Sequence, residues 1–394
     1  MSKNWYVRSI IFFMSILANA ETIDDRINED IKKIHDIEKE IKYDKTIKDP
    51  KDKVHIGDKE KVNIELNKDY TTSGENNIYS ETNEIPDSLK IVNNTNILIE
   101  KDTKFVRFDK IGEEGYSNLI YILNNKKIDT NKEGINLRSK YIYFKNSKDA
   151  ILKNSIGDNY RDNNFFSEEL TVLDNAGTIE GHTSVHGLNK VSLINRKTGL
   201  LTGRLYVLAH EGSLDFKNEG KIKVERIFTR TMSKYSFVNS GEIESNIIEN
   251  EMTGEIDLEI GIDFINTKTG KIKTQDIFVS SEELNFQNFG NIENSGKFNL
   301  YTVKGKIENN GRIKGNINIV HYDDEHPIKK TKKFHLLRVD LQNGTLEGNL
   351  TLEKDGMSET IVTIKSIDNV TGNITSNGNN DTLRLIGSDT VNNK

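Results

Sequence analysis

The chain has 394 residues, 61 acidic against 55 basic, a net charge of -6, 28 glycines, 3 prolines and no cysteine. Interspersed charge of that sign speaks against a nucleic-acid partner, and the lack of cysteine excludes a disulfide framework. Only 34% of residues are hydrophobic and 29% are charged, a balance that suits disorder unless the apolar residues recur at a strict period.

The first twenty residues read as an export signal. Lys3 and Arg8 precede the apolar run Ile10-Ile11-Phe12-Phe13-Met14-Ser15-Ile16-Leu17, and Ala18-Asn19-Ala20 supplies the small-x-small pattern cut by a signal peptidase. The run is shorter than the ~20 residues needed to span a bilayer. Cleavage is expected after Ala20.

Residues 21–50 follow as an isolated amphipathic helix, with Ile23, Ile27, Ile31, Ile34 and Ile41 at helical spacing and Pro50 as its stop. It is either a solvated leader arm or a small oligomerisation or chaperone-contact helix. Residues 51–90 are polar and read as a linker or cap. Residues 91–170 contain β-type runs such as Leu119-Ile-Tyr-Ile-Leu123 and Tyr141-Ile-Tyr-Phe144, expected to form irregular β coils or a capping region.

From 171 to 394 the chain repeats itself. The unit is apolar-x-apolar-x-Asn, a short spacer, then Gly-x-apolar. It occurs as Leu214-Asp-Phe216-Lys-Asn218-Glu-Gly220-Lys-Ile222, with matching pairs Asn195/Gly199, Asn239/Gly241, Asn266/Gly270, Asn288/Gly290 and Asn309/Gly311. Weaker copies sit at Leu173/Asn175/Gly177/Ile179, Leu341/Asn343/Gly344/Leu346 and Ile367/Asn369/Gly372/Ile374.

The period is about 21 residues, too short for two-helix repeats, and alternation inside each unit has period two, so each unit is strand–turn–strand. The expected fold is all-β: a right-handed parallel β-helix of ~21-residue coils with about three strands per turn, preceded by a short helix and linker. Glycine is expected at the corners for positive φ, and the asparagine amides are expected to bond from coil to coil as a turn ladder. One long spacing, Gly241 to Gly270, contains a turn signal at Met252-Thr253-Gly254.

A leader, no cysteine and recurring Asn-x-Gly-x-Ile turns together resemble the passenger domain of a Gram-negative autotransporter. The likeness covers 171–394 well and 91–170 loosely. It implies a non-catalytic adhesin or binding protein, displayed on the cell surface or released, that engages a host or cell-surface ligand. It also implies an outer-membrane translocator barrel. The polar end Gly387-Ser-Asp-Thr-Val391-Asn-Asn-Lys394 does not read as a barrel strand, so the barrel is expected from a separate chain, unless the chain is a fragment of a longer passenger.

Two clusters test catalytic alternatives. His321-Tyr-Asp323-Asp324-Glu325-His326 holds metal-ligand types at close spacing, but the lysine-rich stretch 329–333 makes it read as a solvated loop, and no metal or cofactor is expected. Asp323-Asp324, His186-Gly187 and Arg312-Ile313-Lys314 resemble fragments of pectin-degrading β-helix hydrolases, whose paired carboxylates flank a glycosidic bond. There the paired aspartates come before the other two elements, whereas here they come last, so a polysaccharide-active hydrolase or lyase is the alternative and a binding protein the expectation. His182 and His186 lie in loop or strand and share no helical face.

Overall fold

A computed structural model describes residues 22–50, 54–72, 78–80, 86–99, 106–108, 117–130, 134–154, 163–252, 261–322, 335–355, 359–378 and 380–386. The leader 1–20, the segment 253–260 holding the extra turn signal, and 387–394 lie outside these residues.

The chain winds into a parallel β-helix. Among the described residues all strand pairings are parallel and join counterparts one turn apart, as in Leu214↔Tyr235 and Ile222↔Ile243, and the coils close around one continuous apolar core. Each coil has three faces. On the first face, fourteen pairings link the strand Lys45–Lys48 to the strand Thr382–Leu385. At ~4.8 Å per coil this stack is ~67 Å long.

Coiling therefore begins at Lys45 rather than near 91. The stretch 51–90, expected as a linker or cap, contributes first-face strands Lys61–Leu66 and Ser88–Asn93. Their alternating burial, with Val62, Ile64 and Leu66 inside, was diluted in the sequence by the lysines and asparagines between them.

Alternation sends Leu214, Phe216 and Asn218 inward together. One inward column runs Phe216, Phe237, Phe264, Phe286, whose rings stack at 4.9, 4.6 and 4.9 Å between centroids, the offset-parallel spacing that aromatic pairs favour. A second column, Ile222, Ile243, Ile272, Ile292 and Ile313, fills the next corner.

The repeat glycines work differently from the expected positive-φ corner. None of Gly199, Gly220, Gly241, Gly270, Gly290 and Gly311 has positive φ. They stack directly: a Cβ on Gly241 would lie 2.1 Å from the Gly220 carbonyl oxygen, and one on Gly311 2.1 Å from that of Gly290. Close approach of consecutive turns, not left-handed backbone, demands glycine there.

The amphipathic segment forms helix α1, Ile23–Glu40, ten residues short of Pro50. Thr22 caps it: its Oγ1 accepts from the Asp25 amide at 3.2 Å and its own amide donates to the Asp25 carboxylate at 3.1 Å. The helix is not isolated. Ile27, Asp30 and Ile34 are buried, and Ile34 packs on outward-facing Leu119, Tyr121, Tyr143, Leu170 and Val172 of the first face.

Polar contacts pin the helix at both ends. Arg26 donates to Asp215 at 3.1 and 2.7 Å and to Ser236 at 2.8 Å. Asp30 accepts from Lys190 at 2.8 Å and Ser192 at 2.6 Å, and Glu38 accepts from Lys90 at 2.7 Å. From the Lys90 strand to the Ser236 strand is six coil rises, ~29 Å. An 18-residue helix is ~27 Å long, so α1 lies along the axis and bridges seven coils. A sequence period reveals the helix; only the stacked coils create the strip it covers.

Candidate binding face

The residues singled out by the repeat build the scaffold. Asn93, Asn124, Asn146, Asn175, Asn195, Asn218, Asn239, Asn266, Asn288 and Asn309 form one buried ladder. Each Nδ2 donates at 2.8 Å to the Oδ1 of the next. The second amide proton reaches a backbone carbonyl of the following coil, as from Asn195 to Lys221 at 3.1 Å.

The first three members escaped the sequence motif because Thr95, Lys126 and Ala150 stand where later coils carry the turn glycine. The signal that would have found them is the apolar-x-Asn ending alone: Ile91-Val-Asn93, Ile122-Leu-Asn124 and Phe144-Lys-Asn146.

At the far end, pairing of Ile307 with Val339 and Glu308 with Asp340 brings Leu341, not Asn343, into the ladder slot, and Asn309 Nδ2 donates instead to the Thr345 carbonyl at 2.9 Å. Asn343 bonds Asn310 in the open at 3.1 Å. In the last copy Ile367 stands in a 3-10 turn and is exposed.

The catalytic fragments do not assemble. His321 is buried, its Nδ1 3.0 Å from the Thr360 hydroxyl and its Nε2 2.7 Å from the Val303 carbonyl, so its ring serves the core; Asp323 to His326 lie outside the described residues. His186 sits on the third face, whereas Arg312 sits on the second, many coils away, and bonds Glu347 at 2.6 and 2.8 Å. Among the described residues no group of three or more His, Asp or Glu is placed to hold a metal ion.

The outward side chains differ between faces. The second face carries an alternating-sign column, Lys223, Glu244, Lys273, Glu293, Lys314 and Glu347, set by register. It borders an open groove of about 780 Å³. Its ion pairs, such as Lys223–Glu244 at 3.5 Å with both side chains well exposed, are each worth about 0–1 kcal/mol. Charges that cancel from coil to coil present little net field.

Between residues 136 and 231 the third face is aromatic and basic. Register aligns Asn164, Ser184, Tyr206, Phe228 and Glu249 in one outward column, and Arg138, Phe166, His186, Leu208 and Arg230 in the next. The Arg138 guanidinium lies 5.8 Å from the Phe166 ring centre and that of Arg226 5.4 Å from Phe228, within cation–π range. Tyr206 and Phe228 are 6.1 Å apart, His186 and His210 5.9 Å.

Arg226 also donates to Glu249, a bond that raises its guanidinium above its already high value and keeps it charged. The Nε atoms of Arg138 and Arg226 and the Oδ1 atoms of Asn164 and Asn318 are buried and make no hydrogen bond. A buried polar atom without a partner costs about 1–3 kcal/mol.

The ladder also locates where coils lengthen. Most steps between its asparagines span 20 to 23 residues, but three span 31, 29 and 27. Residues 100–105, 109–116, 155–162 and 253–260, within these three coils, lie outside the described residues. The corner between the first and second faces is held by the Asn ladder and the glycine stack, with two residues from Asn to Gly in some coils (Asn218/Gly220) and four in others (Asn195/Gly199). Compared with family models, with curated protein sequences and with solved structures, the chain matches none.

Proposed function

We propose that this chain is an exported, non-catalytic β-helix protein that acts outside the cell as a binding or adhesion module, in the manner of an autotransporter passenger. The observation that carries the binding reading is the outward strip of rings and guanidinium groups on the third face. The leader-like first twenty residues and the absence of cysteine support export. A solenoid offers such a module a long face on which equivalent side chains recur coil after coil.

The test is protease shaving of intact cells, followed by antibody detection of the coil region in cells and medium. Loss of the cell-associated signal, or its appearance in the medium, is the expected outcome. Protection on intact cells with loss only after outer-membrane permeabilisation would overturn the surface reading. Cleavage of a polysaccharide by the purified chain would overturn the non-catalytic one.

A further inference from the structure

We propose that the third face between residues 136 and 231 binds an extended anionic polysaccharide whose chain runs along the solenoid axis. This deepens the binding reading above and rests on it. The five strand segments that build this stretch, within 136–139, 163–167, 183–187, 204–209 and 226–231, contain four arginines, Arg138, Arg204, Arg226 and Arg230, and no carboxylate. Yet the chain as a whole is acidic. Arg204 bonds Glu225 at 2.8 Å and Arg226 bonds Glu249, both at the edge of the strip; Glu168, Glu169 and Glu211 lie at its border with the first face. Glu249 and Asp276 end the basic stretch in the following coils.

The chemistry favours a glycan over the other long polymers. An incoming peptide strand needs unpaired backbone groups, and on this face the backbone is already committed to the coils above and below. A docking helix needs an aliphatic stripe like Leu119, Leu170 and Val172, which α1 already covers. Rings and guanidinium planes instead offer flat surfaces for the C–H faces of pyranose rings, and arginine forks bond carboxylate or sulfate groups.

Scale agrees with this. Coils recur every ~4.8 Å, close to the length of one sugar unit in an extended chain, so side chains in register meet successive units. Five segments span ~19 Å, room for about four units.

Affinity electrophoresis tests this with the purified chain in native gels containing polygalacturonate, alginate or chondroitin sulfate, and dextran as the neutral counterpart. Retardation by at least one anionic polymer and not by dextran is expected, weakening as salt rises. The double variant Arg138→Ala/Phe228→Ala should lower the apparent affinity about tenfold or more, while Lys223→Ala/Lys273→Ala on the second face leaves it unchanged. Circular dichroism verifies that each variant folds, and Arg138→Gln alone, expected to weaken retardation severalfold, replaces the double variant if that one does not.

Retardation by none of the three polymers, equal retardation by dextran, or an equal loss in the second-face variant would each overturn the proposal. A chain that is shaved from intact cells yet ignores all three polymers removes the ligand class and leaves the surface reading standing; protection from shaving removes the surface reading instead.

Discussion

Asn239→Ala should cost far more than its single lost side chain suggests. Asn239 accepts from Asn218 Nδ2 and donates to Asn266 Oδ1, both at 2.8 Å, and its other proton points to the Lys271 carbonyl at 3.4 Å. Truncation leaves two facing amides in a buried column, the Asn218 Nδ2 retaining only bonds of 3.3 and 3.4 Å to the Glu242 and Gly220 carbonyls. At about 1–3 kcal/mol for each of the two buried groups left unsatisfied, the loss is about 2–6 kcal/mol.

The matched control is Asn94, one residue beyond the ladder member Asn93. It too accepts from one asparagine at 2.8 Å and donates to another at 3.0 Å, but in solvent. Water replaces those partners, so Asn94→Ala should cost within about 0.5 kcal/mol. Urea unfolding followed by far-UV circular dichroism, with midpoints compared at a common slope, measures both. If Asn239→Ala falls within about 1 kcal/mol of the parent, or Asn94→Ala costs as much, burial does not govern the ladder and the reasoning fails.

Gly241→Ala places a Cβ 2.1 Å from a backbone oxygen that no rotamer change can move. A loss at or beyond the 1–3 kcal/mol usual for overpacking is expected, seen as a lowered melting temperature; an unchanged one would refute the close-approach account of the glycine stack. Ile34→Ala should weaken docking of α1 by about 2–5 kcal/mol, so that limited proteolysis cuts within 41–44 while far-UV circular dichroism retains the coils. His35 lies 5.2 Å from the Tyr143 ring and 5.8 Å from Tyr121. Burial, then Lys145 and Lys39, hold its pKa below the usual value, against the opposing pull of Glu38 and Asp36.

The released helix therefore binds the His35 proton more readily than the docked one. Docking is fully supported above about pH 6.5 and weakens as pH falls toward the docked value. Protease protection of α1 followed from pH 8 to pH 5 should show this, and His35→Phe should flatten the curve. An identical pH response in the variant would locate the titrating group elsewhere.

The repeat carried most of the architecture on its face. Alternation of Leu214, Phe216 and Asn218 determines which side chains enter the coil, and recurrence every twenty-odd residues determines that coils stack, because only stacking buries so thin an apolar stripe. The amphipathic spacing of Ile27 and Ile34 likewise announces a helix.

Other features exist only once the coils are in register. The glycines are needed because one turn's carbonyl faces the next turn's Cα, a distance between residues twenty or more apart in the chain. The ladder ends at Leu341 because pairing of Val339 with Ile307 places a leucine opposite Asn309. His321, grouped by sequence with nearby carboxylates, turns inward because its strand position has even parity with the core.

The arginine and aromatic strip is the clearest case. Arg138, Phe166, His186 and Tyr206 share no motif and no local period, and each reads by itself as an ordinary surface residue. Local patterning determines which residues point in or out along one strand. Which outward residues become neighbours is set by the number of residues each coil spends on its corners, so the face they form belongs to the tertiary structure alone.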